Sequence, residues 1–423
     1  MSSRLAALAA PALALSQRQA NRLAALGAGA VALIFLALLP ASSRANDSAD
    51  YTEFYRPVAQ ALLAGDGLEI GGALAARYPP GFPAALAVAI GFGRLLALPE
   101  DFAVSLLGLA GFVATAWTLC RLGGVCHSPA AGLFAAVGFA LYPPHLFLVK
   151  QPNSELVFLP LLLFGGELLW RSRAGELRLA GAAGVVFGLA ALVRPIALLL
   201  FLPLAAFLLL FSRPARASRR LALAAALAAG QLLTMAPWAL QLRATYGHFV
   251  PLSTGGRLSM LDGLTIAAKK DRPPPPLPAA VVALNREIAA ARPQLRSPGD
   301  IFAFLAAKAQ QEPGAVAGLL LVKLSRSFYA TDSLRYEKAL LALQLPFLLL
   351  AAAAWTAAWR WQPLEPWRPL AALCLLVLLY FLAMTVLVLS ILRYLVPALA
   401  LLFLLFGALA AELAGRKAPA IGS

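Results

Sequence analysis

The sequence predicts an all-α, polytopic membrane protein, and three observations carry that prediction. Of its 423 residues 61% are hydrophobic and only 13% are charged, more apolar side chain than one soluble core can hide. Apolar runs close to the length of a membrane helix recur along the whole chain. The formal charge of +16 sits largely in arginines of the short loops between those runs. On a soluble chain such a charge would point to nucleic acid; spread over short loops it marks the cytoplasmic side of a membrane, and nucleic-acid binding is set aside. Cys120, Cys126 and Cys374 show no metal or redox spacing and imply no disulfide framework.

Residues 1–21 form a short basic leader, and Leu23 to Pro40 is the first crossing. Ser43-Arg44-Ala45 loosely fits a cleavage site, but the apolar stretch before it is longer than a signal peptide's, which favours retention. Later runs are Phe102 to Arg121, Ala130 to Val149, Leu156 to Trp170, Leu179 to Val193, Ile196 to Phe211, Leu221 to Leu240, Leu340 to Trp359, Leu370 to Leu389 and Tyr394 to Leu413. The basic loops at 171–178, 213–220 and 360–368 and the tail Arg416-Lys417 share one side only if Ala84 to Leu98 does not cross. That run lies between Pro79-Pro80-Gly81 and Pro99-Glu100-Asp101 and reads as a hairpin or a half-inserted helix. About ten crossings remain, with both ends inside. The chain then falls into a transmembrane module, residues 1–240, holding a first outer loop at 41–101; a large outer loop, 241–336; and a second transmembrane module, 337–423.

Both outer loops carry helices expected to lie at the interface. Tyr51 to Ala64 has one apolar side and ends at Gly65 and Gly67. In the second loop, Lys269 to Pro276 is charged and proline-rich and reads as a mobile loop. Ser297-Pro298-Gly299-Asp300 caps a helix reaching about Gln311. Gly314 to Phe328 is amphipathic, with Lys323 and Arg326 marking its wet side.

The stretch Asn46 to Pro83 is the first polar segment of the chain and the most crowded with ionisable groups. Asp47, Asp50 and Glu53 fall within seven residues. Asp47 and Asp50 are candidates for a general base, for metal ligands, or for the N-cap of the Tyr51 helix, a position Asp50 fits well. A divalent metal is not excluded, although no second acidic cluster supports one, Glu155 and Asp332 standing alone in the sequence. Asn153-Ser154-Glu155 fits the cap of a helix beginning at Leu156 equally well. Arg56, Arg77, Lys150, Arg194 and Arg393 map to the outer side, against the charge rule. Singly each reads as a snorkelling helix end; together, beside a carboxylate-rich loop, they suit an anionic lipid head group. No nucleophile motif or phosphate-cradling glycine loop stands out, so nucleotide-dependent chemistry has little support.

The order of these elements resembles a known group. An acidic motif after the first crossing, followed by Tyr78-Pro79-Pro80-Gly81-Phe82-Pro83, is similar to the bacterial relatives of dolichyl-phosphate-mannose protein mannosyltransferases and of the lipid A aminoarabinose transferases, membrane enzymes of the GT-C glycosyltransferase fold. Asn153 to Phe158, Gly188 to Pro195, Ala236 to Gly256 and Leu392 to Leu402 resemble the same group, so the likeness covers nearly the whole chain. The resemblance implies a GT-C fold and transfer of a sugar from a polyprenyl-phosphate donor to a lipid, glycan or protein acceptor. It places the active site at the outer face of a plasma membrane and implies inversion without a required cofactor. By motif the base is Asp47, with Asp50 beside it; this chain has Asp47-Ser48 where the group often has Asp-Glu, so Asp50 or Glu53 shares the role. Arg393, Lys150 and Arg194 would hold the donor phosphate, and Glu53, Tyr55, Arg56, Arg77, Tyr78, Glu155 and Tyr394 would line the substrate site. Against a flippase stands the gathering of charge at one face with no internal repeat; against a polymerase or ligase of lipid-linked glycans stands the acidic first loop.

Overall fold

A computed structural model of the chain describes residues 12–40, 48–213, 216–266, 275–360 and 364–417. Two compact units emerge. The first comprises Met1–Leu252, Ala353–Leu376 and Leu399–Ser423; the second comprises Ser253–Ala352 and Val377–Ala398.

In the first unit α1 (Gln17–Leu38) starts at a capping box made by Ser16 and Gln19 and buries Ala20, Ala24, Ala28 and Ala32. That stripe, one residue per turn, lets α1 lie close against α4 (Glu100–Cys126) and α5 (Pro129–Leu141). A single wide turn, Tyr51–Tyr55, runs into α2 (Arg56–Ala64), which stops at Gly65 in the left-handed region at φ 89°. A two-residue hairpin follows, β1 (Glu69–Ile70) and β2 (Ala73–Leu74), the only strands among the described residues. Then come α3 (Gly81–Leu95), α4, α5, α6 (Glu155–Ser172), α7 (Leu177–Val193), α8 (Phe201–Phe211) and α9 (Ala217–Tyr246). Helices α4, α6, α7 and α9 pack in series, each against the next.

In the second unit α10 (Gly256–Thr265), α11 (Ala279–Ala291), α12 (Pro298–Gln311) and α13 (Pro313–Arg326) enclose a core that includes Leu261, Leu284, Ile288, Ile301 and Leu319. Ser297 and Asp300 form the capping box of α12, as their spacing leads one to expect. Three long helices, α14 (Glu337–Arg360), α15 (Leu364–Leu387) and α16 (Leu392–Lys417), each contribute residues to both units.

Of the about ten crossings expected, six helices among the described residues meet the length and apolar composition of a span, or seven if the bent pair Pro129–Leu141 and Pro143–Lys150 counts as one. The other three expected runs are shorter or more charged: Leu177–Val193 and Pro195–Phe211 are shorter apolar segments at the lower limit for a span, and α6, 18 residues long, carries Glu155, Glu167 and Arg171. Of the two readings of Ala84 to Leu98, a hairpin or a half-inserted helix, the structure has a single helix, α3, which buries Phe82, Leu86 and Ile90 while leaving Val88, Phe92 and Leu95 exposed.

One expectation needs correction: the cations of α13 face the protein. Lys323 is 1% exposed and Arg326 5%, while Leu320, Leu321 and Leu324 are the exposed side. Arg326 makes two hydrogen bonds to Glu337 at 3.1 and 3.2 Å, and Lys323 Nζ donates to the Val388 carbonyl at 3.2 Å. A distant carboxylate and an unpaired helix-end carbonyl thus satisfy groups that the pattern alone assigns to water. Of the proline-rich loop, residues 267–274 lie outside the described residues.

Candidate active site

The first outer loop gathers most of the residues singled out by sequence. Ser48 starts it: its carbonyl accepts from the amides of Tyr51 and Thr52, so Asp50 already stands on helical backbone and its side chain caps nothing. Tyr51, Phe54, Tyr55, Val58 and Ala59 fall on one face and are buried. Tyr78 packs on this face, edge-on to Phe54 with ring centroids 5.2 Å apart and 5.0 Å from Tyr55; Phe82 meets Tyr55 at 4.8 Å. The aromatic wedge delivers the Tyr78 hydroxyl to Asp50 Oδ1, to which it donates at 2.7 Å. Arg77 lies between two carboxylates, 3.9 Å from Asp50 and 3.8 Å from Glu53, and its guanidinium is 5.4 Å from the Tyr78 ring centroid. Burial raises the Tyr78 phenol, and the negative charge of Asp50 raises it further, so it stays a donor.

Asp50, Glu53, Tyr55, Arg77 and Tyr78 therefore form one cluster. Arg56 turns aside: its Nε donates to Glu100 Oε1 at 2.6 Å, while Gln60 reaches Oε2 at 3.4 Å. Tyr51 and Glu100 were not singled out by sequence. Tyr51 is 2% exposed with no hydrogen-bond partner for its hydroxyl among the described residues, and burial, with Glu100 adding, pushes the phenol up to about 12. The signal for Glu100 was present, since Pro99-Glu100 opens α4, but its partner is 44 residues away. Asp47 lies outside the described residues.

A second cluster of the same unit adjoins the Tyr78–Pro83 turn through Gly81. A methyl group on Gly81 would lie 2.7 Å from the Leu192 carbonyl oxygen and 2.9 Å from Val193 Cγ2, so the turn rests on the end of α7 just before Arg194. Gly81→Ala is expected to cost about 1–3 kcal/mol through overpacking, read as a lowered thermal midpoint in detergent. Arg194 Nη1 is 2.7 Å from Glu155 Oε1 and donates to Ser154 Oγ at 2.8 Å; the side chains are 8% and 0% exposed. Glu155 is thus paired, and neither Ser154 nor Asn153 caps α6: Asn153 donates instead to the Leu148 and Gln151 carbonyls. Lys150, half-buried, makes no ion pair among the described residues.

Arg393 and Tyr394 belong to the second unit, at the start of α16, and are half-buried. The turn before them is held at several points. The Leu392 amide donates to the Ala330 carbonyl at 2.9 Å, Thr385 donates to Ser327 Oγ at 3.1 Å, and Ser390 to the Thr385 carbonyl at 3.0 Å. Burial lowers the Lys323 amine to about 7. The folded protein then binds fewer protons than the unfolded chain from about 7 up to the ordinary lysine value of 10.5, and its stability rises with pH across that window. Below about 7 the penalty is constant. Lys323→Met is expected to flatten this slope in thermal midpoints measured from pH 7 to 10.

Among the described residues no three His, Cys, Asp or Glu side chains gather as a metal site. No family model matches the chain, and no curated protein matches it. Solved structures do. The oligosaccharyltransferase AglB of Archaeoglobus fulgidus, in complex with an inhibitory peptide and a dolichol-phosphate, superposes with a TM-score of 0.57 over 92% of this chain and 50% of its own, at 12% identity. The chain has the GT-C fold. The same archaeal enzyme tethered to an acceptor peptide containing the NVT sequon gives a TM-score of 0.56 at 12% identity, covering 92% of this chain and 49% of that one. Its complex with Zn and sulfate gives 0.54 at 13% identity over 92% and 48%. This GT-C chain spans about half the length of the structures it matches.

Proposed function

We propose that the chain is a membrane glycosyltransferase that moves a sugar from a polyprenyl-phosphate carrier to an acceptor at the outer face of a plasma membrane. The observation that carries this reading is the AglB-like fold over 92% of the chain. The acidic first loop supports it, being the place where this chain carries a carboxylate oriented by a tyrosine and an arginine. AglB itself is seen in complex with an inhibitory peptide and a dolichol-phosphate and, separately, tethered to an acceptor peptide through a disulfide bond, a precedent for a lipid-borne donor.

In the proposed reaction an acceptor hydroxyl attacks the anomeric carbon as its proton passes to Asp47. The new carbon–oxygen bond forms as the bond to the phosphate breaks, and polyprenyl phosphate leaves with the electron pair, inverting the centre. Asp50, held by Tyr78 through Oδ1, keeps Oδ2 to accept from the acceptor. Arg393 and Lys150 take the leaving phosphate's charge, and Arg194 acts through Glu155, which it holds. Placing the base and neutralising developing charge supply the rate; the phosphate needs little further activation. Arg77 and Tyr78 as the neighbours of Asp50 favour a metal-independent displacement, so transfer is expected to survive EDTA; loss restored by a divalent ion would reassign Asp50 as a ligand.

Mass spectrometry of lipid-linked sugars and envelope glycans, with and without the gene, tests the function. Accumulation of a polyprenyl-phosphate sugar together with loss of a glycan modification is expected. An unchanged glycan profile would refute it, and donor stranded on the inner leaflet would point to a flippase.

A further inference from the structure

We propose that Lys323 is a positioning residue for donor binding: by holding the Val388 carbonyl it fixes the turn from which Arg393 reaches the donor phosphate. This rests on the reading of Arg393 as the phosphate-binding arginine. The amine is sealed in the second unit at 1% exposure, and its hydrogen bond to the Val388 carbonyl is 3.2 Å long. Val388 directly follows α15, its amide still bonded to the Met384 carbonyl at 3.0 Å, so the amine donates to the open carbonyl end of that helix. Four residues later α16 begins, and its second residue is Arg393.

The segment is clamped from three places. From α13, Lys323 holds Val388; just beyond it, Ser327 takes the Thr385 hydroxyl and the Ala330 carbonyl takes the Leu392 amide. From α10, Gly263 presents bare backbone, and any side chain there would overlap the Val388 carbonyl oxygen and come within 2.8 Å of Lys323 Nζ. A buried lysine is costly where a leucine would fill the space, and no carboxylate within ion-pair distance offsets that cost among the described residues. Its geometric return is the fixed carbonyl. An arginine that must meet a phosphate gains most from a backbone that does not move.

The test is binding of undecaprenyl phosphate, without sugar, to the purified full chain in detergent, alongside thermal midpoints. Lys323→Met is expected to weaken binding about tenfold while the midpoint holds or rises, a split that a merely structural lysine would not give. Gly263→Ala, which displaces the same carbonyl from the other side, is expected to weaken binding likewise, and it decides the matter should Lys323→Met fail to fold. In the double variant with Arg393→Ala, Lys323→Met is expected to add nothing to the loss from Arg393→Ala alone. Wild-type binding by folded Lys323→Met and Gly263→Ala, with binding lost in Arg393→Ala, would overturn the positioning role and leave the phosphate role standing. Unchanged binding in Arg393→Ala would instead remove the phosphate reading itself.

Discussion

Asparagine in place of Asp47 is expected to abolish sugar transfer, lowering kcat by about 100-fold or more, in a protein that still inserts and keeps its thermal midpoint. The amide retains the size of the carboxylate but cannot accept the acceptor's proton. Asp50→Asn is expected to act less severely, by about tenfold, because Tyr78 and Arg77 hold that carboxylate on its helical turn and its task is orientation. Measuring both variants with the same donor separates the roles. Full activity in Asp47→Asn with loss in Asp50→Asn would move the base three residues along the chain, to the group whose geometry is described.

Removing Arg194 is expected to destabilise the first unit by about 3–5 kcal/mol, since it takes the guanidinium away from the fully buried carboxylate of Glu155 with which it pairs. Arg194→Met should therefore lower the detergent thermal midpoint sharply, and Glu155→Gln combined with it should recover most of the loss. The double variant also isolates function. If it folds and binds polyprenyl phosphate normally, Arg194 serves Glu155 alone; if it folds and binds weakly, the guanidinium also touches the donor. An Arg194→Met protein as stable as the wild type would show that the buried pair contributes nothing net.

Local patterns were readable. The helix closed by Gly65, the capping box at Ser297 and the clustering of Asp50, Glu53, Arg77 and Tyr78 follow from residues near one another in sequence, or from an aromatic turn that must pack on an apolar face. What escaped depends on partners far along the chain. Glu155 stands alone in the sequence yet meets Arg194, and Arg56 meets Glu100 across 44 residues. Lys323 and Arg326 were assigned to water because a periodicity argument treats charge as wet, whereas a carbonyl or carboxylate from another helix can draw a cation inward. Asp50 looked like a cap because its position fits one, but the helical hydrogen bonds already begin at Ser48. The break at Pro195 was legible in the sequence, whereas the bend of 69° between Pro129–Leu141 and Pro143–Lys150 was not.

The inversion of α13 bears on how the large outer loop can be handled. With Leu320, Leu321 and Leu324 turned outward and the neighbouring cations turned in, this helix offers a greasy edge to whatever surrounds it. Residues 253–352 cut out as a free fragment would expose that edge to buffer and clump. Antibody selection or fragment screening against this region is therefore better carried out with the intact chain in nanodiscs, where acyl chains can cover the leucines.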